Sequence, residues 1–393
     1  MSRAARVAIA KRILELHAKD EPEYGAESWE TGVERFTDKA RFDLEKQKFF
    51  LERPQLIAYS ADIPDPGSYY ATEIAGRPIL LTRDKNGTAH AFLNACRHRG
   101  VKLTSGCGHA KGFTCPYHGW TFANDGKLTS VPNRQCFDED QLHDLIRLPL
   151  AEKIGLILVH PDPKGTIDFD AFFGPILEHL SEQKYENLRF IEEYRAPARI
   201  NWKHAVDGGL EGYHVPVLHP ETVGPLVLKQ FLHLDYGLHH SLVSPQKDIL
   251  KLKDIPEDQW PESLPFGFTT AIFPNTVVGG GGASGGIGFF QRSEPGNEPG
   301  VCTYIFRTYG IGKLPSEETE KMQKWMSQLL MKTSLEEDMV VQSEAQIMME
   351  TGIVPTIVFG RREQNLIKMH KNHDRMIGID PDQGQKRPRL AAE

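Results

Sequence analysis

The sequence predicts an α+β protein in two parts: a small all-β domain, then a larger domain that combines antiparallel strands with a long C-terminal helix. Three observations carry this. Between residues 67 and 160, short apolar runs are punctuated by Ala75-Gly76, Lys85-Asn86-Gly87 and Asn124-Asp125-Gly126, the turn chemistry of antiparallel sheet. Longer strand-like runs recur at 268–278 and 301–309, and the stretch 317–349 reads as helix. With 393 residues the chain can also build two separate cores.

Taken in order, residues 4–18 are expected to be helical, because Val7, Ala10, Leu14 and His17 recur at offsets of three and four with charges between them. A charged helix over 36–51 ends before Pro54. Strands follow at 69–74, 78–82 and 89–93, then a short run at 112–114, and 155–160 closes the set. This places the all-β domain at 45–160 and the larger domain at 161–393, with 1–44 packing on the latter. A helix is expected near 172–185 and a strand near 190–194. Residues 220–260 read as loop-rich, with Leu226, Val227, Leu228, Phe231, Leu232 and Leu234 open to use as lid, subunit contact or core. Gly279 to Gly282 with Gly285 and Gly286 contain a G-x-G-x-x-G match, but Ile287-Gly288-Phe289-Phe290 reads as strand where a nucleotide fingerprint needs a helix. A hairpin loop is the simpler account, and the tail from Pro381 is polar and loose.

A net charge of -7 without a basic block argues against nucleic acid and anionic membrane surfaces as partners. No apolar run reaches the roughly eighteen residues of a membrane span, and Lys11, Arg12 and Glu15 interrupt any targeting peptide. The five cysteines form no secreted disulfide framework, so the cytoplasm is the expected location.

Two segments carry chemistry. In the first, Cys96-Arg97-His98-Arg99-Gly100 is followed, with sixteen residues between His98 and Cys115, by Cys115-Pro116-Tyr117-His118-Gly119-Trp120. Two thiolates and two imidazoles suit an iron-sulfur centre with one iron on each ligand type, or structural zinc, although zinc fingers pair Cys with Cys and His with His. Cys107-Gly108-His109 repeats the first spacing, but only five residues then separate His109 from Cys115. In the second segment, Asn201 to Pro220, Glu211 and His214 are three apart and would share a helix face. His214 and His219 are five apart, and a bend at Pro216 could bring them together. A third ligand could come from Glu337 or Asp338, between which periodicity does not choose.

The first segment, including the Arg-Gly after His98 and the Tyr before His118, resembles the binding signature of a Rieske [2Fe-2S] domain. The second resembles the iron motif of Rieske non-haem iron aromatic-ring-hydroxylating oxygenase large subunits, and the resemblance as a whole covers about residues 35–375. The resemblance implies that Cys96 and Cys115 hold the inner iron of the cluster and His98 and His118 the outer one. It assigns His214, His219 and Asp338 to a mononuclear Fe(II), Asp338 because Glu337-Asp338 with Glu344 and Gln346 matches the family's acid pair. It makes Glu211 the acid that joins His214 to a cluster histidine of the adjoining subunit, and Asp207 the acid that precedes it; many members carry Asn where this chain has Gly208.

The fold implied is a helix-grip-like sheet curved around the iron-bearing helices, in a head-to-tail homotrimer with or without a β subunit. The implied activity is that of the terminal oxygenase of a multicomponent system, which uses O2 and electrons singly supplied to hydroxylate a small organic, aromatic substrate. With no flavin or nicotinamide motif in the chain, the electrons come from an NAD(P)H-dependent reductase, directly or through a ferredoxin. Monooxygenation with O- or N-demethylation is the alternative within enzymes, and a non-enzymatic electron carrier the alternative outside them.

Overall fold

The computed structural model describes residues 1–280, 286–312 and 316–381; the middle of the glycine run and the polar tail lie outside them. Lys46–Gly174 with Lys184–Phe190 form one compact unit, and Met1–Glu45, Pro175–Gln183 and the chain from Ile191 form the other. No helix among the described residues is long and apolar enough to cross a membrane.

The smaller unit is all β apart from short helical turns. Its five-stranded sheet runs Arg147–Leu148, Ala89–Leu93, Arg77–Arg83, Ser68–Ile74, Cys107–His109, and two three-stranded sheets accompany it. The hairpin from Ser68–Ile74 to Arg77–Arg83 closes through Ala75 and Gly76, at φ 49° and 84°. Positive φ at both central residues gives the turn a twist that matches its strands. Cys107–His109 is a strand paired with Ser68–Ile74, and His109 Nε2 lies 2.6 Å from the Pro66 carbonyl oxygen, so this Cys-x-His pair is sheet edge. Leu80, Phe92, Phe113, Trp120 and Phe122 make the core into which Cys96 and Cys115 are built.

The larger unit is organised by a seven-stranded sheet in the order Leu188–Ala198, Cys302–Ile311, Ile287–Pro295, Thr276–Gly280, Phe266–Ile272, His239–Pro245, Leu232–Tyr236. Two of these strands fall inside the 220–260 segment expected to be loop-rich. There the turn at Gly237 (φ 80°) lets His239–Pro245 fold back on Leu232–Tyr236, and tertiary pairing outweighs the segment's mixed pattern. The apolar cluster of that segment is divided between two tasks. Leu228, Leu232 and Leu234 pack with the helix Arg3–Ala18, which buries Val7, Ala10, Ile13 and Leu16 there, whereas Leu226, Val227 and Phe231 line a cavity.

Other boundaries also shift. The strand expected at 268–278 is two strands, Phe266–Ile272 and Thr276–Gly280, because Pro274 in the turn has no amide hydrogen for the ladder. The helix expected at 172–185 is broken into Phe169–Phe173 and Ile176–Ser181 by Gly174 and Pro175. The long C-terminal helix begins at Glu317, capped by Ser316, which accepts from the Thr319 amide. It changes to π-helical winding over Thr333–Asp338 and resumes as Met339–Glu350. Single π turns inside α-helices recur where side chains must be re-aimed at a site.

Candidate metal centres

In the smaller unit the two Cys/His loops are the same turn built twice. The Cys96 amide donates to the Val101 carbonyl at 2.8 Å and the Gly100 amide to the Cys96 carbonyl at 2.9 Å; Cys115, Trp120 and Gly119 repeat this at 2.7 and 3.0 Å. Each turn closes on a glycine with positive φ, 75° at Gly100 and 73° at Gly119, a conformation that a Cβ disfavours. The result is that both thiols and both imidazoles meet. Burial raises the Cys96 thiol, the amides of His98 and Arg99 point at its sulfur, and the Cys115 thiol is within hydrogen-bond reach. The His98 and His118 rings lie 4.5 Å apart, with His98 stacked on Trp120 at 5.0 Å.

The Nδ1 atoms of His98 and His118 are buried and have no hydrogen-bond partner. An unsatisfied buried nitrogen costs about 1–3 kcal/mol, which metal ligation would remove. Two adjacent thiols opposite two orphaned Nδ1 atoms fit a [2Fe-2S] centre with thiolates on one iron and imidazoles on the other.

In the larger unit one nitrogen of His214, one nitrogen of His219 and one carboxylate oxygen of Asp338 lie within 4.8 Å of one another. The histidines stand at the two ends of a single helical turn, Val215–Leu218, with Pro216 in its first turn. Pro216 therefore starts a short helix, where its missing N–H is harmless, and does not bend a long one. Nor do Glu211 and His214 share a helix. The helix Trp202–Asp207 has ended, and Gly208, Gly209 and Gly212 make its continuation costly. Glu211 instead folds over its own chain and accepts from the amides of Tyr213 and His214.

Each ring is held at Nδ1 and turns its Nε2 toward Asp338. Glu211 bonds His214 Nδ1, and Glu337 Oε2 lies 2.6 Å from His219 Nδ1 while accepting from Thr222 Oγ1 at 2.7 Å. Asp338 Oδ1 faces the other nitrogens, 3.0 Å from His219 Nε2 and 3.6 Å from His214 Nε2. Burial pushes His219 down, but the carboxylates of Asp338 and Glu337 outweigh it and raise its pKa. Two imidazole nitrogens and one carboxylate, converging on one side, fit a 2-His-1-carboxylate iron with open positions.

Sequence reasoning treated Glu337 only as a rival to Asp338. Its bond to His219 and the part of Thr222 had no signal in spacing, since they meet from 118 and 115 residues apart. Asp207 does not line the cavity beside this site: His370 Nε2 lies 2.9 Å from its carboxylate and His204 Nδ1 3.5 Å. Burial would raise Asp207, yet these imidazoles hold it at about 2. Asn201, Trp202 and Lys203 fix the helix before it. Asn201 caps that helix through the Lys203 amide and donates to the carbonyls of Phe36 and Pro299, and the Lys203 ammonium is buried against Glu45.

His214, His219 and Asp338 open on a cavity of about 570 Å3 whose walls are mainly apolar, including Phe231, Leu242, Phe268, Phe289 and Phe306. Tyr304 brings a hydroxyl to the wall, bonded to Ser334, and burial followed by the charge of Asp338 keeps it protonated.

Residues 53–149 match the Rieske [2Fe-2S] domain family, and residues 185–379 match the catalytic domain of ring-hydroxylating alpha subunits. Among curated relatives, the carnitine monooxygenase oxygenase subunit of Escherichia coli strain K12 is 31% identical over 238 residues, 58% of this chain and 63% of that one. The toluate 1,2-dioxygenase alpha subunit of Pseudomonas putida is 33% identical over 197 residues, 47% of this chain and 43% of the relative. The chain thus matches less than two thirds of these relatives' lengths. Among solved structures, a quaternary ammonium Rieske monooxygenase in complex with L-carnitine superposes with TM-score 0.72 at 19% identity, covering 88% of this chain and 95% of that one. Naphthalene 1,2-dioxygenase from Rhodococcus sp. does so with TM-score 0.72 at 18% identity, covering 96% and 98%, a likeness of fold. The Rieske and ring-hydroxylating domains, matched in that order along the sequence, show that the chain belongs to the Rieske oxygenase large-subunit family.

Proposed function

We propose that the chain is the terminal oxygenase of a multicomponent system, which uses O2 and electrons from an NAD(P)H-dependent reductase to hydroxylate a small apolar, aromatic substrate. The observation that carries this is the convergence of His214, His219 and Asp338 on the wall of a mainly apolar cavity lined by Phe231, Phe268, Phe289 and Phe306. When bound, a [2Fe-2S] cluster on Cys96, His98, Cys115 and His118 supplies single electrons, and Fe(II) on His214, His219 and Asp338 activates O2. The residues do the rest. Apolar walls hold the substrate and keep water from the reactive oxygen. Glu211 and Glu337 fix the two rings so that each Nε2 faces inward, and Asp207 positions the helix that leads to them through His370.

In this reading the iron-sulfur domain is 45–160 and the oxygenation domain 161–393 together with 1–44. The chain acts in a cytoplasmic homotrimer, with Glu211 joining His214 to a cluster histidine of the adjoining subunit. The carnitine monooxygenase relative favours monooxygenation as a second outcome, in which one oxygen atom enters the product and the other leaves as water; on this reading an O- or N-methyl substrate would lose its methyl group after hydroxylation. Oxygen uptake by the purified protein with an NADH-driven reductase, measured across aromatic and methylated substrates with product identification by mass spectrometry, tests both. Substrate-dependent uptake with oxygenated product is expected. Reductase-driven cluster turnover without oxygen incorporation would leave only an electron carrier.

A further inference from the structure

Asp338, Gln342 and Gln346 follow one another at intervals of four along the C-terminal helical segment, which places them on one face. That face meets the short helix Trp202–Asp207 at both of its ends. Gln346 Oε1 accepts from the Asn201 amide at the N-cap, at 3.1 Å, and Gln342 Nε2 donates to the His204 carbonyl, at 2.9 Å. His204 needs that donor. Its usual partner four residues on, the Gly208 amide, bonds the Val206 carbonyl instead, so the α-helical donor to His204 is replaced by the Gln342 amide. Asp338 stands one turn beyond Gln342, and the chain leaving the helix runs through Glu211 to His214.

Gly208 makes this contact possible. A Cβ there would lie 2.7 Å from Gln342 Nε2, closer than a Cβ can stand, with no other atom nearer than Gln342 Cδ at 3.6 Å. Gly208 and Gln342 both line the cavity beside Asp338. We propose that Gln342 is a positioning residue for the mononuclear metal site: its amide, admitted by the bare backbone of Gly208, sets Asp338 against His214 and His219. The absence of a side chain at 208 is thereby matched by an amide delivered from the opposite helix.

This inference rests on the reading of His214, His219 and Asp338 as iron ligands. In the purified holoenzyme, Gln342→Met keeps length and removes the donor. The readouts are the rate at which mononuclear iron passes to ferrozine, with cluster absorption followed in parallel, and the EPR signal of the ferrous site probed with nitric oxide. Iron release about tenfold faster is expected, the scale on which outer partners of metal ligands act, with a shifted nitrosyl signal, unchanged cluster absorption and a Tm lowered by only a few degrees from the unpaired His204 carbonyl. Gly208→Ala, which pushes the amide aside, should do the same, and the double variant should be no worse than either single one. Wild-type release and signal in Gln342→Met, or additive effects in the double variant, would overturn the inference. A wild-type protein with no ferrozine-accessible iron would overturn the ligand reading and this inference with it.

Discussion

His219 is gripped by two consecutive acids: Glu337 lies 2.6 Å from its Nδ1 and Asp338 3.0 Å from its Nε2. On a regular α-helix neighbouring side chains diverge by about 100°. Here the π-helical turn Thr333–Asp338 ends on this pair, and both reach one ring. The two acids then face opposite sides of the ring, with Asp338 on the side where both Nε2 atoms converge and Glu337 behind it.

Glu337→Gln should therefore keep the third iron but weaken its binding by about tenfold, because the ring loses a charged partner and keeps a hydrogen-bonding one. Chelator competition checks this. Glu337→Gln with wild-type iron affinity would remove the orienting role.

Asp338→Ala is expected to lose the mononuclear iron altogether. Wild-type protein should contain about three irons and two acid-labile sulfides per chain, from one [2Fe-2S] cluster and one single iron. The alanine variant should contain about two irons with the cluster's visible absorption intact. Zinc in place of the cluster, or full iron in Asp338→Ala alongside iron loss in Glu337→Ala, would contradict the ligand assignment.

Glu211→Gln keeps the size of the side chain that bonds His214 Nδ1 and removes its charge. It should retain both metal centres and the wild-type oligomeric state yet slow reoxidation of the reduced cluster by about tenfold or more, since a charge-assisted bond couples proton position to electron arrival. Rapid mixing of pre-reduced, substrate-bound protein with oxygen gives the rate. An unchanged rate in a fully metallated variant would confine Glu211 to holding its own ring.

Asp207 links acid stability to the approach to the site. Burial raises its pKa, but His370 and His204 outweigh that and hold it at about 2, below the ordinary 3.8. A depressed carboxylate contributes stability that is complete above the unfolded value and lost as pH falls through the folded one. The shift corresponds to about 2 kcal/mol. Thermal unfolding between pH 6 and pH 2 should show wild type losing more than Asp207→Asn, with the difference confined to pH below about 4.

What the sequence by itself determined is local. The two Cys/His loops were legible because a five-residue turn closed by Gly100 or Gly119 is specified by residues next to one another, and the same holds for the Ala75-Gly76 hairpin. The acid pair at 337–338 stood out only through its resemblance to the family's pattern, not through spacing. Only the tertiary structure decided which acid faces which nitrogen of His219, that Asp207 turns to His370 from 163 residues away, and that residues 232–245 complete a sheet. Those outcomes depend on contacts between segments distant in the chain. A short polar side chain satisfies its hydrogen bonds with whatever packing brings near, and no periodicity along the sequence records what that will be.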